Sequence, residues 1–251
     1  MVKEHNYALT IAGFDPSGGA GILADVKTFE AHKITGMGAV SGLTFQNDKE
    51  FDSVHWVEAV EIIKQVAVLT RRFTFPVIKI GIIESLDTLE AIIANMKTSA
   101  ENPLIIWDSV IKASVGFDFH EKFNEKQLFG LLDQIYLITP NIDEVKFLTG
   151  MSDPIAAARK LSRYCNVLLK GGHNPENPGV DYLFVNEECE KLMPEKHCGF
   201  QKHGSGCVLS SAIAANLILG YDLIASCRNA KNYIEQFLSS NQSLLGSHHV
   251  Q

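Results

Sequence analysis

Short apolar runs and stretches with helical spacing alternate along this chain. "YALTIAG" reads as a strand, and "GGAGILADVKTFEAHK" after it as a helix with Ile22, Val26 and Phe29 on one face. "GAVSGLTFQ" is a second strand ending at polar Gln46 and Asn47, followed by a helix in "VEAVEIIKQVAVLTRRF". "PVIKIGII" and "PLIIWDSV" are strands on either side of the helical "SLDTLEAIIANMK". "YLITPN" and "NVLLKGG" are two more strands, and "VDYLFV" with "CEKLMP" around an "NEE" turn reads as a peripheral hairpin. Two helices close the pattern, Ser205 to Leu219 and about Leu223 to Leu238; the second carries Leu223, Cys227, Ala230, Ile234 and Phe237 at helical spacing.

Strands that are apolar throughout and alternate with helices predict a parallel sheet covered on both faces, an α/β fold. With no repeat, low-complexity segment or obvious linker, residues 1–251 read as a single domain. In such sheets ligands gather beyond the carboxyl ends of the strands. Polar and glycine punctuation falls there: Gly13-Phe14-Asp15, Gln46, Asp108, Asn141 with Glu144, and Lys170-Gly171-Gly172-His173. Several such loops converging on one edge predict a shared site.

Composition narrows the function classes. A net charge of −7 argues against nucleic acid or an anionic membrane as the main partner. The longest apolar stretch, Val208 to Leu219, falls short of the roughly 20 residues a membrane span needs. The first apolar run is broken at Gly13 and Asp15 and reads as a buried strand, not a signal sequence. Five scattered cysteines (165, 189, 198, 207 and 227) with no C-x-x-C pair fit reduced thiols in a cytoplasmic protein.

Four constellations carry candidate chemistry, each with a plainer alternative. In "GFDPSGGAGILAD", glycines 18, 19 and 21 would bring backbone amides to a ligand at a helix N-terminus, or simply make a tight turn; neither a Walker A ending nor G-x-G-x-x-G spacing is present. Asp25 sits one turn inside that helix, either facing a polar ring or solvated. In "TPNIDEV", Asn141 and Glu144 form a capping pattern or help hold hydrated Mg²⁺, and spacing alone favours the cap. In "LLKGGH", Lys170 places an ammonium near phosphate oxygens or snorkels to water. In "HGSGC", the amides of Gly204, Ser205, Gly206 and Cys207 would stand at the positive end of a helix, a hole for a migrating phosphoryl group. There the helix N-terminus is expected to lower the Cys207 pKa and let it act as a base. The alternatives are a packed inert thiol or a covalent nucleophile paired with His203 or His173.

Taken in order, "ALTIAGFDPSGGAGILADVKTF", "TFQN", "KIG", "TPNIDEV", "LLKGGH" and "HGSGCVLSSAIAA" resemble the hydroxymethylpyrimidine/phosphomethylpyrimidine kinases of the ribokinase-like superfamily, from about Tyr7 to about Phe237. The resemblance implies a three-layer αβα sandwich with a mostly parallel central sheet, a homodimer, and ATP- and Mg²⁺-dependent phosphorylation in thiamine diphosphate synthesis. It implies Cys207 as base with Gly204, Ser205 and Gly206 as the anion hole. It implies Glu144 with Asn141 as the Mg²⁺-associated pair, and Lys170, Asp108 and Glu144 on the ATP side. Gln46 and Asp25 would read the aminopyrimidine between walls formed by Gly13 and Val110. The chain departs from the family's usual wording in "DSVI" at 108–111 for "DPVM", "KIGII" at 79–83 for "KIGML", "HGSGC" for "HGTGC", and an ending "SLLGSHHVQ" without a Gly-His-Gly segment. Pyridoxal kinases share the scaffold and the cysteine loop and are the nearest alternative; a non-catalytic binding protein and a thiol hydrolase are the others.

Overall fold

The structure is a computed structural model that describes residues 6–97, 102–111, 123–172, 177–195 and 200–248. Its strands are β1 (Tyr7–Phe14), β2 (Thr35–Gln46), β3 (Phe51–Trp56), β4 (Val77–Ile80), β5 (Leu104–Trp107), β6 (Leu137–Ile138), β7 (Asn166–Leu169), β8 (Asp181–Val185) and β9 (Glu188–Leu192). They make one 9-stranded sheet in the order β3-β2-β1-β4-β5-β6-β7-β8-β9. The segment from β2 to β7 is parallel, while β3 at one edge and β8 and β9 at the other run antiparallel.

Alternation along the central strands decides which helices cover which face. Leu9 and Ile11 of β1 and Ile78 and Ile80 of β4 enter one core, with Ile62, Leu89, Leu128, Val145 and Leu161. Those residues belong to α2 (Ala59–Thr70), α3 (Leu86–Lys97), α4 (Glu125–Leu132), α5 (Ile142–Thr149) and α6 (Pro154–Leu161). Ala8, Val77, Ile106, Leu137 and Leu168 enter the opposite core. That face is covered by α1 (Gly21–Ala31), α7 (Ser205–Ile218) and α8 (Leu223–Ser239). Helices on both faces of a mostly parallel sheet give the expected αβα sandwich. Among the described residues no helix is long and apolar enough to cross a membrane.

Three elements escape the sequence pattern. β3, "FDSVHW", is an antiparallel edge strand in which no residue is fully buried, so it lacks the continuous apolar run of its neighbours. α4 and α6 have only 8 residues each, too short for a clear period. The expected hairpin is present as β8 and β9, turning at Asn186 and Glu187, both with positive φ.

Candidate active site

Two glycine-bearing loops meet at the carboxyl edge of β1. In the first, the buried Asp15 carboxylate accepts from the Ser17 amide (2.9 Å), the Ser17 hydroxyl (2.9 Å) and the Ala20 amide (2.8 Å). Burial would raise Asp15, but these donors and His203 hold it below the usual carboxylate range. The second loop leads into α7 through Gly204, whose φ of 73° is left-handed. A β-carbon there would run into the Gly19 carbonyl oxygen, so only glycine lets the two loops touch.

No side chain caps α7. The Ser205 amide makes a long 3.4 Å bond to the Lys202 carbonyl, and Val208 bonds back to Gly204. The amides of Gly206 and Cys207 have no partner among the described residues. Unused donors at the positive end of a helix are suited to hold an anion. Gly206 faces the Lys170–Asp108 pair: a β-carbon on it would stand 3.4 Å from Lys170 Nζ and 3.9 Å from Asp108 Oδ2.

Lys170, at the end of β7, joins the carboxylates. Its Nζ is 3.0 Å from Asp108 Oδ1 and 3.6 Å from Glu144 Oε2. Asp108 also accepts from Thr139 Oγ1 (3.0 Å) and Ser210 Oγ (3.2 Å). Burial works against its charge, but Lys170 and Lys79 outweigh it and hold Asp108 low. Burial likewise opposes the Lys170 charge, and Asp108 and Glu144 hold that ammonium firmly protonated. Glu144 shows the opposite balance: burial pushes it up to about 7, with Lys170 opposing and Asp108 adding.

Asn141 and Glu144 form a complete capping box on α5. Asn141 Oδ1 accepts from the amides of Asp143 and Glu144, and Glu144 Oε2 accepts from the Asn141 amide at 2.7 Å. The cap and the candidate metal role are therefore the same geometry, since the cap aims Glu144 at Lys170. Among the described residues no group of three or more His, Cys, Asp or Glu side chains could enclose a metal ion. The donors fit a hydrated Mg²⁺ touched through few carboxylates, the way this ion binds beside phosphates. Asn141 would act by orienting Glu144, its own carbonyl being spent on the cap.

Beneath the anion hole lies a sealed polar cluster. Lys79 in β4 and Asp25 in α1 have no exposed surface, and Lys79 Nζ is 2.8 Å from Asp25 Oδ2. Asp25 also accepts from Thr10 Oγ1 (2.5 Å) and Ser211 Oγ (2.7 Å). Asp25, expected to read the substrate ring, therefore presents no free acceptor to a ligand here; it faces Lys79. The lysine, together with Thr10, Ser210, Ser211, Thr139, Asp15 and His203, was not singled out for these roles from sequence. The signal was present: a lone charge inside the apolar "PVIKIGII" must find a buried counter-charge.

Cys207 is half-buried between these groups. The expected lowering is not found. Burial pushes the thiol up to about 11; Lys79 pulls it down, while Asp25 and Asp108 add to the rise. Cys165, Cys189, Cys207 and Cys227 are all free thiols. His203 turns to Asp15, not to Cys207, and His173 and Cys198 lie outside the described residues.

On the other side of the first loop, Gly13 packs against Ile82 and Thr44. A β-carbon on it would come within 2.5 Å of Ile82 Cδ1. Gln46 Nε2 donates to Thr44 Oγ1 at 2.9 Å, and Thr44 donates its only hydroxyl hydrogen to the Phe14 carbonyl at 2.9 Å. Gln46 and Gly13 are thus joined through Thr44, and the Gly13 carbonyl stands where a β-carbon on Gly21 would be. Val110 is half-buried two residues past Asp108, its amide bonded to the Asp108 carbonyl at 2.8 Å.

Residues 15–251 match the family model described as phosphomethylpyrimidine kinase. The chain belongs to that family. It is 30% identical over 248 residues to a hydroxymethylpyrimidine/phosphomethylpyrimidine kinase from Aquifex aeolicus, covering 94% of this chain and 96% of the relative. It is 34% identical to a thiamine biosynthesis bifunctional protein from Geobacter sulfurreducens, covering 96% of this chain and 50% of that longer protein. Among solved structures, the phosphomethylpyrimidine kinase of Clostridium difficile superposes with a TM-score of 0.76 at 31% identity, over 91% of this chain and 97% of that one. An ADP complex of Bacillus subtilis pyridoxal kinase superposes with a TM-score of 0.80 at 28% identity, over 94% and 92%. The family carries the ribokinase-like fold, as the αβα architecture here does.

Proposed function

We propose that this kinase transfers the γ-phosphoryl group of ATP to the hydroxymethyl oxygen of 4-amino-5-hydroxymethyl-2-methylpyrimidine, and in a second round to the phosphate of the resulting monoester. The observation that carries the reading is the meeting of two unused amides, Gly206 and Cys207, with Lys170 and Asp108 at one strand edge. A transferring phosphoryl group spreads charge over its equatorial oxygens, and fixed donors in a buried site stabilise that charge. As the new oxygen–phosphorus bond forms, the bond from the γ-phosphorus to the bridging oxygen breaks and ADP leaves. Bound Mg²⁺ would supply positive charge between the phosphates, with Glu144, Asp108 and Asn141 beside it.

A thiol pushed up to about 11 is protonated at neutral pH and cannot take the hydroxyl's proton. The role that fits Cys207 is a hydrogen-bond partner that orients the acceptor oxygen. The proton leaves late, onto the transferring phosphate, as a loose transition state permits. Gln46 reads the ring's amine and nitrogen, with Gly13, Ile82 and Val110 as apolar walls.

Pyridoxal is the second reading, favoured by the pyridoxal kinase superposition. Measuring kcat/KM with the hydroxymethylpyrimidine, its monophosphate and pyridoxal decides between them. A clear preference for pyridoxal would overturn the first reading. The working unit is proposed to be a homodimer in the cytoplasm, where the free thiols stay reduced. The exposed Phe14, Leu43 and Phe45 at the β1–β2 end support a second copy seated there.

A further inference from the structure

His203 touches three parts of the chain around the anion hole. Its Nε2 lies 2.9 Å from Asp15 Oδ2, the carboxylate that shapes the first loop. Its ring lies over Gly19, where a β-carbon would approach ring Cδ2 within 2.6 Å. Its amide donates to the Leu244 carbonyl at 2.9 Å. The preceding Lys202 donates to the Asn241 carbonyl (2.6 Å), Asn241 Oδ1 (2.9 Å) and the Ser243 carbonyl. The Leu245 side chain completes the contact, a β-carbon on Gly19 falling 2.7 Å from its Cδ2. Residues 241–245 therefore lie across the loop that opens α7 and reach the first loop as well.

The chemistry fixes the imidazole's orientation. A carboxylate only accepts, so Nε2 carries the hydrogen that meets Asp15. The other ring nitrogen, Nδ1, is buried with no partner among the described residues. A buried polar atom left unpaired opposes folding, so packing alone would favour an apolar side chain here. The Nε2 bond is what the imidazole contributes.

We propose that His203 is a positioning residue for phosphoryl transfer. Through Asp15 it holds the first glycine loop, and through its backbone the C-terminal segment, so that the Gly206 and Cys207 amides stay aimed at one point. The proposal deepens the kinase reading and rests on it.

The test is a set of three variants assayed with hydroxymethylpyrimidine and ATP. His203→Gln can place an amide N–H where Nε2 stands, His203→Asn is too short to do so, and His203→Leu has no donor. Leu and Asn should lower kcat about 100-fold with both KM values within about three-fold, as for loss of aim at an oxyanion site. Gln should return kcat to within about five-fold of the parent, since it restores the bond. Unchanged kcat in the Leu variant, or Gln as slow as Leu, would overturn the proposal. If Leu does not fold, the Gln–Asn pair decides alone. Should the parent phosphorylate none of the substrates, the kinase reading fails by itself. Amide exchange at Gly19–Ala20 and Gly204–Cys207 then judges the positioning claim: faster in Asn and restored in Gln supports it, equal in both overturns it.

Discussion

Thr10 and Lys79 are register partners on neighbouring parallel strands, and both side chains converge on the Asp25 carboxylate. Strand alternation sends them toward α1 and α7, where Ser211 supplies a third donor. The helix that begins with the anion hole is thus tied one turn further in to the centre of the sheet. Burial opposes the Lys79 charge, but Asp25, with Asp108 farther off, holds the ammonium charged. A charge pair this deep contributes little net stability but is costly to break.

Lys79→Met should therefore destabilise the protein by about 3–5 kcal/mol, because Asp25 keeps a buried charge without its counter-charge. The double variant Lys79→Met/Asp25→Leu removes both charges and should recover most of that loss. Urea unfolding midpoints of the two variants against the parent check this. A double variant no more stable than the single one would mean that the pair does not act as a unit.

Glu144 makes stability depend on pH in a definite direction. Its folded value of about 7 lies above the ordinary 4.5, so between those values the folded state holds a proton that the unfolded chain has released. The protonated carboxyl's stability is fully present below pH 4.5 and is lost as pH rises through 7. Across that window the metal-free protein should lose roughly 2–3 kcal/mol from this group, and Glu144→Gln should remove the slope. Unfolding curves at several pH values measure it; parallel pH profiles for the parent and the variant would refute the assignment.

Much of this site was legible because its residues sit where elements end. Asp108, Asn141 and Lys170 each follow an apolar run, and strand ends of a parallel sheet meet at one edge, while Gly204 stands just before the apolar run of α7. Asp25 and Lys79 were harder. The pairing of helix position 25 with strand position 79 needs the register of β1 against β4 and the rotation of α1, which one sequence does not encode locally. The Cys207 pKa departs from the sequence expectation for a related reason. The helix N-terminus is visible in sequence, whereas burial and two neighbouring carboxylates are set by distant segments.

Cys207 separates orientation from base catalysis. If the thiol only orients the hydroxyl, Cys207→Ser keeps a hydrogen-bonding group and should retain kcat within about ten-fold, while Cys207→Ala should fall about 100-fold or more. If a thiolate is the base, Ser should be as slow as Ala, and the parent's rate should climb with pH toward the thiol's value of about 11. Pre-steady-state rates of both variants from pH 6 to pH 10 distinguish these outcomes.

Gln46 should govern acceptor recognition and leave ATP alone. The Thr44 hydroxyl spends its hydrogen on the Phe14 carbonyl, so it can only accept from Gln46 Nε2. That fixes the amide with Oε1 turned outward, ready to accept from an exocyclic amine. Gln46→Leu removes the acceptor and should raise KM for the hydroxymethylpyrimidine by about 10–100-fold, the cost of leaving a buried amine unpaired. Thr44→Val keeps Gln46 but frees its amide to rotate, so the rise should be smaller, about three-fold to ten-fold. KM for ATP should stay the same in both, because Lys170, Asp108 and Glu144 are untouched. A change in the ATP constant equal to that for the pyrimidine would show that Gln46 acts on the nucleotide side instead.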